Sequence, residues 1–450
     1  MSNSLSNPVS RHRRRTKMLL STVLVGSLIG VAACSSGGGK SEQSGDPAAG
    51  GDCSEVTVAS WAAAADVLEE AAGVFMENNE GKTVNIQRVG HDYANIIPAL
   101  TAGSGAPDIM HVEQRDFQTF QRQFEGQFED LTEFLAPHQG EFAEVAWAAG
   151  GDGEKMYGVP WDLGPGAVWY RTDFYQQAGI DASKIETWDD FIAAGKQLQD
   201  AVDGVHMVAF DTTGSDPNPS TWMLLMSELG GRYTDSEGRI DFANEPNIEA
   251  MEMVKRLVEE GIVQDAGDWS ALVQTVASGQ TASVILPVWF AGTIEDQAPD
   301  QKGVWSVMPL PAFEQGGNTN ANLGGGVLAI SSGSKCKQLA QDFVEFALLT
   351  NEGQEIQLSH GLFPSWQPFY ETEEFKAADT GFFAVNIPET FASLAQEIPE
   401  LEFGPYYMDF HAELTNAYGK VMAANEAADK AFQEAEKRAA TATGLEITAR

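Results

Sequence analysis

The sequence predicts an α/β protein built from two domains. Short apolar segments alternate with helical patterns, an order that is typical of parallel strands joined by crossover helices. The globular composition runs from about residue 55 to about residue 445, which is longer than one hydrophobic core usually supports. The same alternation resumes after a Gly/Pro-rich crossing at 159–166. We therefore expect two α/β units with chain crossings between them.

The individual elements follow from the apolar periodicity and from helix-start signals. Strands are predicted at 56–59, 84–89, 108–112, 205–210, 282–286, 304–308 and 327–330. Helices are predicted up to 79, at 93–102, from 115, from 188, at 222–229, 247–260 and 339–349, and as one long helix at 409–440. Thr187 is the expected N-cap of the helix from 188, with Asp190 completing a capping box.

The N-terminus predicts export and lipid anchoring. A basic stretch precedes an apolar run of 16 residues at 18–33, which is short for a membrane span and is expected to be removed as part of a signal peptide, 1–33. Val31-Ala32-Ala33-Cys34 resembles the bacterial lipobox, in which the cysteine is acylated. A polar, Gly/Ser-rich tether follows at 34–53. The alternative is an ordinary secreted protein, which needs neither the cysteine nor the tether.

The charge of the chain excludes some partners. The formal net charge is −38, and removal of a leader with five basic residues and no acid leaves −43. A nucleic acid or an anionic membrane surface is therefore not an expected partner. Such a balance suits solubility outside the cell.

The motifs of common enzyme classes are absent or incomplete. Gly81-Lys82-Thr83 lacks the first turn of a phosphate-binding loop, and the glycines at 324–326 lead into a strand rather than a helix. The chain has no Gly-x-Ser-x-Gly elbow and no His-Glu-x-x-His zinc motif. We expect no cofactor, no metal and no catalysis. Two carboxylates facing each other across a cleft remain possible, so a glycosidase stays open as an alternative.

The placement of the tryptophans favours a carbohydrate ligand. Five of the ten lie at strand exits, beside prolines or at helix starts: Trp61, Trp161, Trp222, Trp289 and Trp366. For any one of them a packed position is as good an explanation, and Trp188 and Trp305 look structural. Together they favour a sugar platform, because a pyranose stacks its C–H face on aromatic rings and needs polar side chains around its hydroxyls.

Several motifs resemble one known family. They are the Ala99 to Ile109 helix, glycine turn and Pro-Asp strand, the stretch from Tyr157 through Phe174, the segment 279–284, and Pro309-Leu310-Pro311 followed by Gly324-Gly325-Gly326. In order and spacing, over roughly 56–440, the chain resembles the extracellular solute-binding proteins of ATP-driven (ABC) sugar importers, the group that includes maltose-binding protein.

The resemblance implies a two-lobe periplasmic-binding-protein-like fold with hinge crossings. It implies that lobe 1 comprises 54–162 plus 310–352 and lobe 2 comprises 163–309 plus 353–440, with a sugar, expected to be an oligosaccharide, held between them. It also implies a monomer on the outer face of the cell membrane that delivers its ligand to the permease transmembrane subunits. A binder of the same fold for a polyamine, iron or a peptide stays open, although its cleft would need acids or tyrosines rather than tryptophans.

The resemblance also implies a set of ligand contacts. Trp289 matches a stacking position, Glu113 and Gln114 match hydroxyl-binding positions, and Gly325 permits close backbone approach. Trp61 stands where some maltodextrin binders carry a charged pair, so that particular ligand is not expected and stacking replaces the charges. The full set of implied contacts is Trp61, Glu113, Gln114, Trp161, Asp162, Trp222, Trp289, Gly325, Trp366 and Tyr407.

The fold that the resemblance implies brings two cysteines together. Cys53 precedes the first strand, and Cys336 follows the strand at 327–330, which runs antiparallel to the first in this family. Outside the cell such thiols can oxidise. We therefore expect a Cys53–Cys336 disulfide, the alternative being two unpaired cysteines.

Overall fold

The computed structural model describes residues 53–216, 218–396, 398–399 and 403–450. The predicted signal peptide, Cys34 and the tether up to residue 52 lie outside the described residues. The described chain contains the strands β1 (Glu55–Ser60), β2 (Thr83–Arg88), β3 (Ile109–Glu113), β4 (Gly158–Arg171), β5 (Val208–Phe210), β6 (Val263–Asp265), β7 (Ser283–Pro287), β8 (Trp305–Met308), β9 (Asn322–Ile330) and β10 (Phe363–Pro364).

Helices cover much of the remainder, and four short 3-10 turns connect some of them. The helices are α1 (Ala62–Asn78), α2 (Ile96–Ala102), α3 (Gln114–Gln123), α4 (Thr132–Leu135), α5 (Glu144–Ala149), α6 (Thr172–Ala178), α7 (Trp188–Ala201), α8 (Ser220–Glu228), α9 (Glu245–Glu259), α10 (Trp269–Ala277), α11 (Phe290–Gln297), α12 (Lys337–Leu349), α13 (Asn351–Ser359), α14 (Glu373–Ala377), α15 (Ile387–Leu394), α16 (Tyr407–Ala424) and α17 (Ala428–Thr443). The predicted α/β class is confirmed.

One curled sheet holds most of the strands. Its order is β10-β4-β9-β3-β1-β2, and β7 and β8 also pair with β4. β1 is parallel to β2 and β3, as the alternation with helices predicts, whereas β9 runs antiparallel to β3. A separate parallel pair joins β5 to β6.

The Gly/Pro-rich segment at 159–166, expected to be a crossing, lies inside the 14-residue strand β4. Its glycines allow close packing of strands: a Cβ on Gly164 would lie 2.0 Å from the Leu323 carbonyl oxygen. Its prolines lie at the register shifts of the β4–β9 pairing, where regular ladder hydrogen bonds are interrupted. The first part of β4 pairs with β9, and the part from Gly166 onwards pairs with β7 and β8.

The structure confirms one predicted helix start and contradicts one predicted helix. The capping box at the start of α7 is confirmed, with the Asp190 N–H donating to Thr187 Oγ1 and the Thr187 N–H donating to Asp190 Oδ2. The single long helix predicted at 409–440 is wrong. It breaks at Asn425, whose left-handed φ of 55° ends α16 before α17 begins.

The apolar side chains of the described residues form four clusters. The largest lies among α7, α8, α9, α16 and α17, and another lies between α1, α12 and the first strands of the sheet. Several separate apolar clusters are expected, because a chain of this length exceeds what one hydrophobic core usually supports. The lobe boundaries given above stay a prediction.

Cys53 and Cys336 form a disulfide, with 5.3 Å between their Cα atoms. The antiparallel course of β9 beside β3 returns the chain to the start of β1, so the bridge follows from the topology that the family resemblance implies. It links residues 283 positions apart in the sequence.

Candidate functional site

A packed polar cluster lies where β3, β4 and β9 meet. Gly325 has a φ of 106°, and a Cβ there would lie 2.6 Å from Gln114 Oε1 and 2.8 Å from the Asp162 carbonyl oxygen. Gln114 is buried and donates its amide to the Val145 carbonyl oxygen at 2.9 Å. Only glycine fits this position without a shift of its neighbours.

Asp162 is the acid of this cluster with the most altered titration. Burial, helped by the negative charge of nearby Glu113, raises the pKa of Asp162 to about 7, although its carboxylate accepts a hydrogen bond from the Gly326 backbone. Asp162 is therefore poised to change charge near neutral pH. We name the set His111, Gln114, Asp162 and Gly325, with the rings of Trp61 and Trp161, the central cluster.

The two tryptophans of the central cluster contact a buried histidine. Trp61 stacks on His111, with 4.0 Å between ring centroids and an interplanar angle of 10°, and Trp161 lies 4.6 Å from the same ring. Trp61 is half-buried and Trp161 is fully buried. Burial lowers the pKa of His111 to about 3, so its imidazole is neutral. The stacking partner of Trp61 in this structure is thus a protein ring.

Glu113 and Tyr407 are brought together by an arginine. Arg115 Nε lies 2.8 Å from Glu113 Oε2, and the Arg115 guanidinium lies 5.8 Å from the centre of the Tyr407 ring. Tyr407 is only 2% exposed, and its hydroxyl lies 3.0 Å from His411 Nδ1. The burial raises the pKa of the Tyr407 hydroxyl above its ordinary value.

Two open cavities meet at a second pair of tryptophans. Trp269 and Trp289 line both, with 5.9 Å between ring centroids and 49° between ring planes. Trp289 donates its Nε1–H to the Leu323 carbonyl oxygen at 3.0 Å, whereas Trp269 is 48% exposed. We call the two cavities, with volumes of about 680 and 430 Å³, the larger and the smaller cavity. Both volumes lie in the range of small-molecule sites.

Apart from the tryptophans and the imidazole of His360, the polar side chains around both cavities are hydroxyls, amides and carboxylates. The smaller cavity adds Asp211, Asp216, Asn218, Pro219, Ser220, Thr221, Asp268 and Tyr418 to the two tryptophans, with apolar residues of β5 and β7 beneath them. The larger cavity adds Ala63, Ser270, Val273, Gln274, Ala277, Gly292, Thr293, Asp296, Gln297, His360, Gly361 and Leu362. No lysine or arginine is among these lining residues. Aromatic faces beside such groups suit a ligand with a C–H face and many hydroxyls.

The predicted contacts divide between these regions. Trp289 is the one that lines the two cavities, while Trp61, Gln114, Trp161, Asp162 and Gly325 belong to the central cluster. Glu113 and Tyr407 flank that cluster through Arg115. Trp289 lies next to β9, the strand that contains Gly325. A Cβ on Gly324 of that strand would lie 3.1 Å from Trp289 Nε1.

Two of the predicted contacts lie elsewhere. Trp222 is 2% exposed and stacks on Tyr418 and Phe432, so its position in the core suits packing better than ligand stacking. Its connection with the smaller cavity is indirect, through Tyr418, which lines it. Trp366 donates its Nε1–H to Glu141 Oε2 at 2.9 Å, and this bond lowers the pKa of Glu141.

Comparison with known proteins places the chain in a family. Residues 59–355, well over half of the chain, match the bacterial extracellular solute-binding proteins. The chain belongs to this family. An arabinooligosaccharide-binding protein of Bacillus subtilis (strain 168) is 29% identical to it over 268 residues, which are 59% of this chain and 61% of the relative. The match thus spans about three fifths of that relative's length.

Two further similarities extend along more of the chain. An arabinooligosaccharide-binding protein of Halalkalibacterium halodurans is 28% identical over 376 residues, covering 79% of this chain and 82% of the relative. The solved ABC transporter associated binding protein from B. animalis subsp. lactis Bl-04, in complex with beta-1,6-galactobiose, has a TM-score of 0.69 and 24% identity and covers 86% and 97% of the two chains. The structural similarity shows that this solute-binding protein shares the fold.

Sequence reasoning missed several lining residues of this solute-binding protein. Trp269 follows Asp268, which caps α10 by accepting the Ala271 N–H at 2.8 Å. It therefore stands at a helix start, the same signal that selected Trp222. Tyr418, inside α16, carries no local signal, because distant packing brings it to the cavity.

Among the described residues, no group of three or more His, Cys, Asp or Glu side chains could hold a metal ion. Within the same part of the chain, no helix combines the length and the apolar character needed to cross a bilayer.

Proposed function

We propose that this solute-binding protein captures an oligosaccharide and delivers it to the permease of an ABC importer. The observation that carries the proposal is the pair Trp269 and Trp289, shared by two cavities whose remaining polar side chains, apart from His360, are hydroxyls, amides and carboxylates. Stacking on the rings would hold the sugar faces, and the surrounding groups would bind the hydroxyls. Two of the relatives are named arabinooligosaccharide-binding proteins, and these names support the same ligand class.

Binding without catalysis is part of the proposal. Ligand contacts to both predicted lobes would favour a closed form, and that form would be the one the permease recognises. The other predicted contacts, from the central cluster to Trp366, stay predictions of ligand contact.

The proposal is tested first by ligand screening. Oligosaccharides of arabinose and galactose, from two to four units, should raise the Tm of the mature chain, since a ligand at about 100 times its Kd stabilises by about 2.7 kcal/mol. Each binder should be recovered intact after prolonged incubation. Appearance of a shorter sugar in samples that contain pure protein would replace this proposal with a glycosidase.

The second test concerns Trp289. Trp289→Ala should weaken sugar binding by about 1–3 kcal/mol in calorimetry, because a central stacking surface is lost. Trp147→Ala is the matched control: Trp147 is also half-buried but packs on Phe142 and lines neither cavity. Equal affinities for the two variants would remove Trp289 from the site.

Lipid anchoring at Cys34 and a location on the outer face of the membrane complete the proposal. They rest on Val31-Ala32-Ala33-Cys34 and the polar tether that follows. Cys34→Ala should release the protein from the membrane fraction into the medium. A wild-type protein without an acyl chain in mass spectrometry would contradict the anchor.

A further inference from the structure

The smaller cavity has three carboxylates without a cationic partner. Asp211, Asp216 and Asp268 all line it, together with the rings of Trp269 and Trp289. None of the three forms an ion pair with any described residue, whereas each of the nine arginines of the described chain pairs with another acid. The negative charge on this wall of the cavity is therefore not neutralised locally.

The three carboxylates differ in how many of their oxygens accept hydrogen bonds from the described residues. Asp211 is 4% exposed, and both of its oxygens accept hydrogen bonds within its own loop. Oδ1 accepts the Thr213 N–H at 2.8 Å, and Oδ2 accepts the Asp216 N–H at 2.8 Å. Asp216 accepts the Asn218 N–H at 2.8 Å through Oδ1. Asp268 uses Oδ1 for the cap of α10. The Oδ2 atoms of Asp216 and Asp268 accept no hydrogen bond from the described residues.

Burial and the neighbouring acids together change the pKa of Asp216. Burial, and then the negative charges of Asp211 and Asp268, raise the pKa of Asp216 above its ordinary value. The larger cavity continues the same character, because Asp296 lines it and its one basic residue, His360, lies 2.8 Å from Glu70 through its Nε2. A further negative charge brought into this space would lie among three carboxylates in the smaller cavity and near Asp296 in the larger one.

We propose that the cavity pair selects neutral oligosaccharides and rejects those that carry a uronic acid, with Asp216 and Asp268 as the specificity-determining acceptors. This inference rests on the proposed function. Hydroxyl groups of a neutral sugar donate to the two free carboxylate oxygens while its C–H faces stack on the tryptophans. A uronate presents a carboxylate to the same oxygens, where it cannot donate and is repelled.

The test compares sugars of equal length and different charge. Calorimetry at pH 7 measures the mature chain against β-1,6-galactobiose and against the same disaccharide with its terminal galactose replaced by galacturonic acid, followed by the corresponding pair built on any tighter neutral binder of the screen. The uronate should bind at least about tenfold more weakly. Added salt should narrow the difference, since screening weakens the repulsion between exposed charges.

Charge-neutral variants show whether these acids cause the selection. In Asp216→Asn with Asp268→Asn, Oδ1 of each side chain can keep its loop or cap bond, so the Tm should hold while the uronate penalty falls below about threefold. Asp342→Asn, which removes an exposed acid on α12 that lines neither cavity, should leave the penalty unchanged.

The outcomes separate this inference from the function on which it rests. If the wild type binds the uronate as tightly as the neutral sugar, or if the double variant keeps the full penalty, the selection is overturned while sugar binding stands. If no neutral sugar binds at all, the proposed function fails and takes the selection with it.

Discussion

The central cluster and the two cavities contain the same kinds of residue and use them differently. In the central cluster a tryptophan stacks on a protein ring, and a glutamine amide is bonded to a protein carbonyl. At the cavities Trp269 is 48% exposed, and Asp216 and Asp268 each keep an oxygen that accepts nothing from the described residues. The difference lies in packing, which satisfies polar and aromatic groups in one place and leaves them open to a ligand in the other.

The comparison predicts opposite consequences for substitutions in the two regions. Changes in the central cluster should act mainly on the free energy of unfolding, because its groups contact one another. Changes to the residues that line the cavities should act mainly on sugar affinity, because Trp269 keeps an exposed ring and Asp216 and Asp268 each keep an oxygen that accepts nothing from the described residues. Three substitutions in the central cluster test this contrast, from the largest expected effect to the smallest.

Gly325→Ala should have the largest effect on stability. The new Cβ meets Gln114 Oε1 and a backbone oxygen of Asp162 below 3 Å, and a φ of 106° is strained for alanine. Strain and overpacking together should reduce the free energy of unfolding by about 3 kcal/mol or more.

Urea unfolding of Gly325→Ala beside Gly81→Ala isolates the contribution of packing. Gly81 also has a positive φ, of 81°, but a Cβ there meets nothing within 4 Å. The control should lose only the smaller amount due to backbone strain, about 1 kcal/mol. Similar losses in the two variants would mean that the central cluster is not tightly packed around Gly325.

Trp61→Ala should have an intermediate effect on stability. The variant distinguishes a packing role of Trp61 from the ligand contact that the family resemblance implies. Loss of the stack on His111 and of the edge contact with Tyr93, 5.4 Å away, should reduce stability by about 2 kcal/mol, less than for a fully buried tryptophan. Its sugar affinity should change less than that of Trp289→Ala. A variant that keeps its Tm and loses affinity would instead make Trp61 a ligand contact, as the family resemblance implies.

Much of the fold could be predicted because it depends on local patterns. Alternating apolar segments and helix-start signals locate most strands and helices. The capping box at Thr187 depends only on residues that are close in sequence. The strand β4 could not be predicted in this way. Its glycines and prolines suit a strand only because β9 offers close approach and shifted register, and β9 lies more than 150 residues further on.

The site could be predicted only in part, for a related reason. A tryptophan at a helix start signals a position near the end of an element, and this criterion fits Trp222, Trp269 and Trp289 equally well. It does not determine which way the ring points. The ring of Trp222 packs inward on Tyr418 and Phe432, which arrive from the C-terminal helices, and no pattern around Trp222 shows that arrangement.

Asp162→Asn should have the smallest effect, and the effect should depend on pH. The pKa of Asp162 is about 7 in the folded chain and about 3.9 in an unfolded one, so between pH 4 and 7 the folded state holds the proton more tightly. Stability from this group is therefore present below about pH 4 and is lost as pH rises to about 7. The full pKa change corresponds to about 4 kcal/mol, and because the Asp162 side chain is partly exposed we expect solvent screening to reduce the loss to about 1 kcal/mol.

The measurement is the difference in unfolding free energy between wild type and Asp162→Asn, taken from urea titrations at intervals between pH 4 and pH 8. Other acids titrate in both proteins and cancel in the difference. The wild type should lose stability relative to the variant as pH rises through this window and should then stay level. A difference that is flat with pH would place the Asp162 carboxylate in open solvent, and the central cluster would then resemble the cavity wall more than it does in this structure.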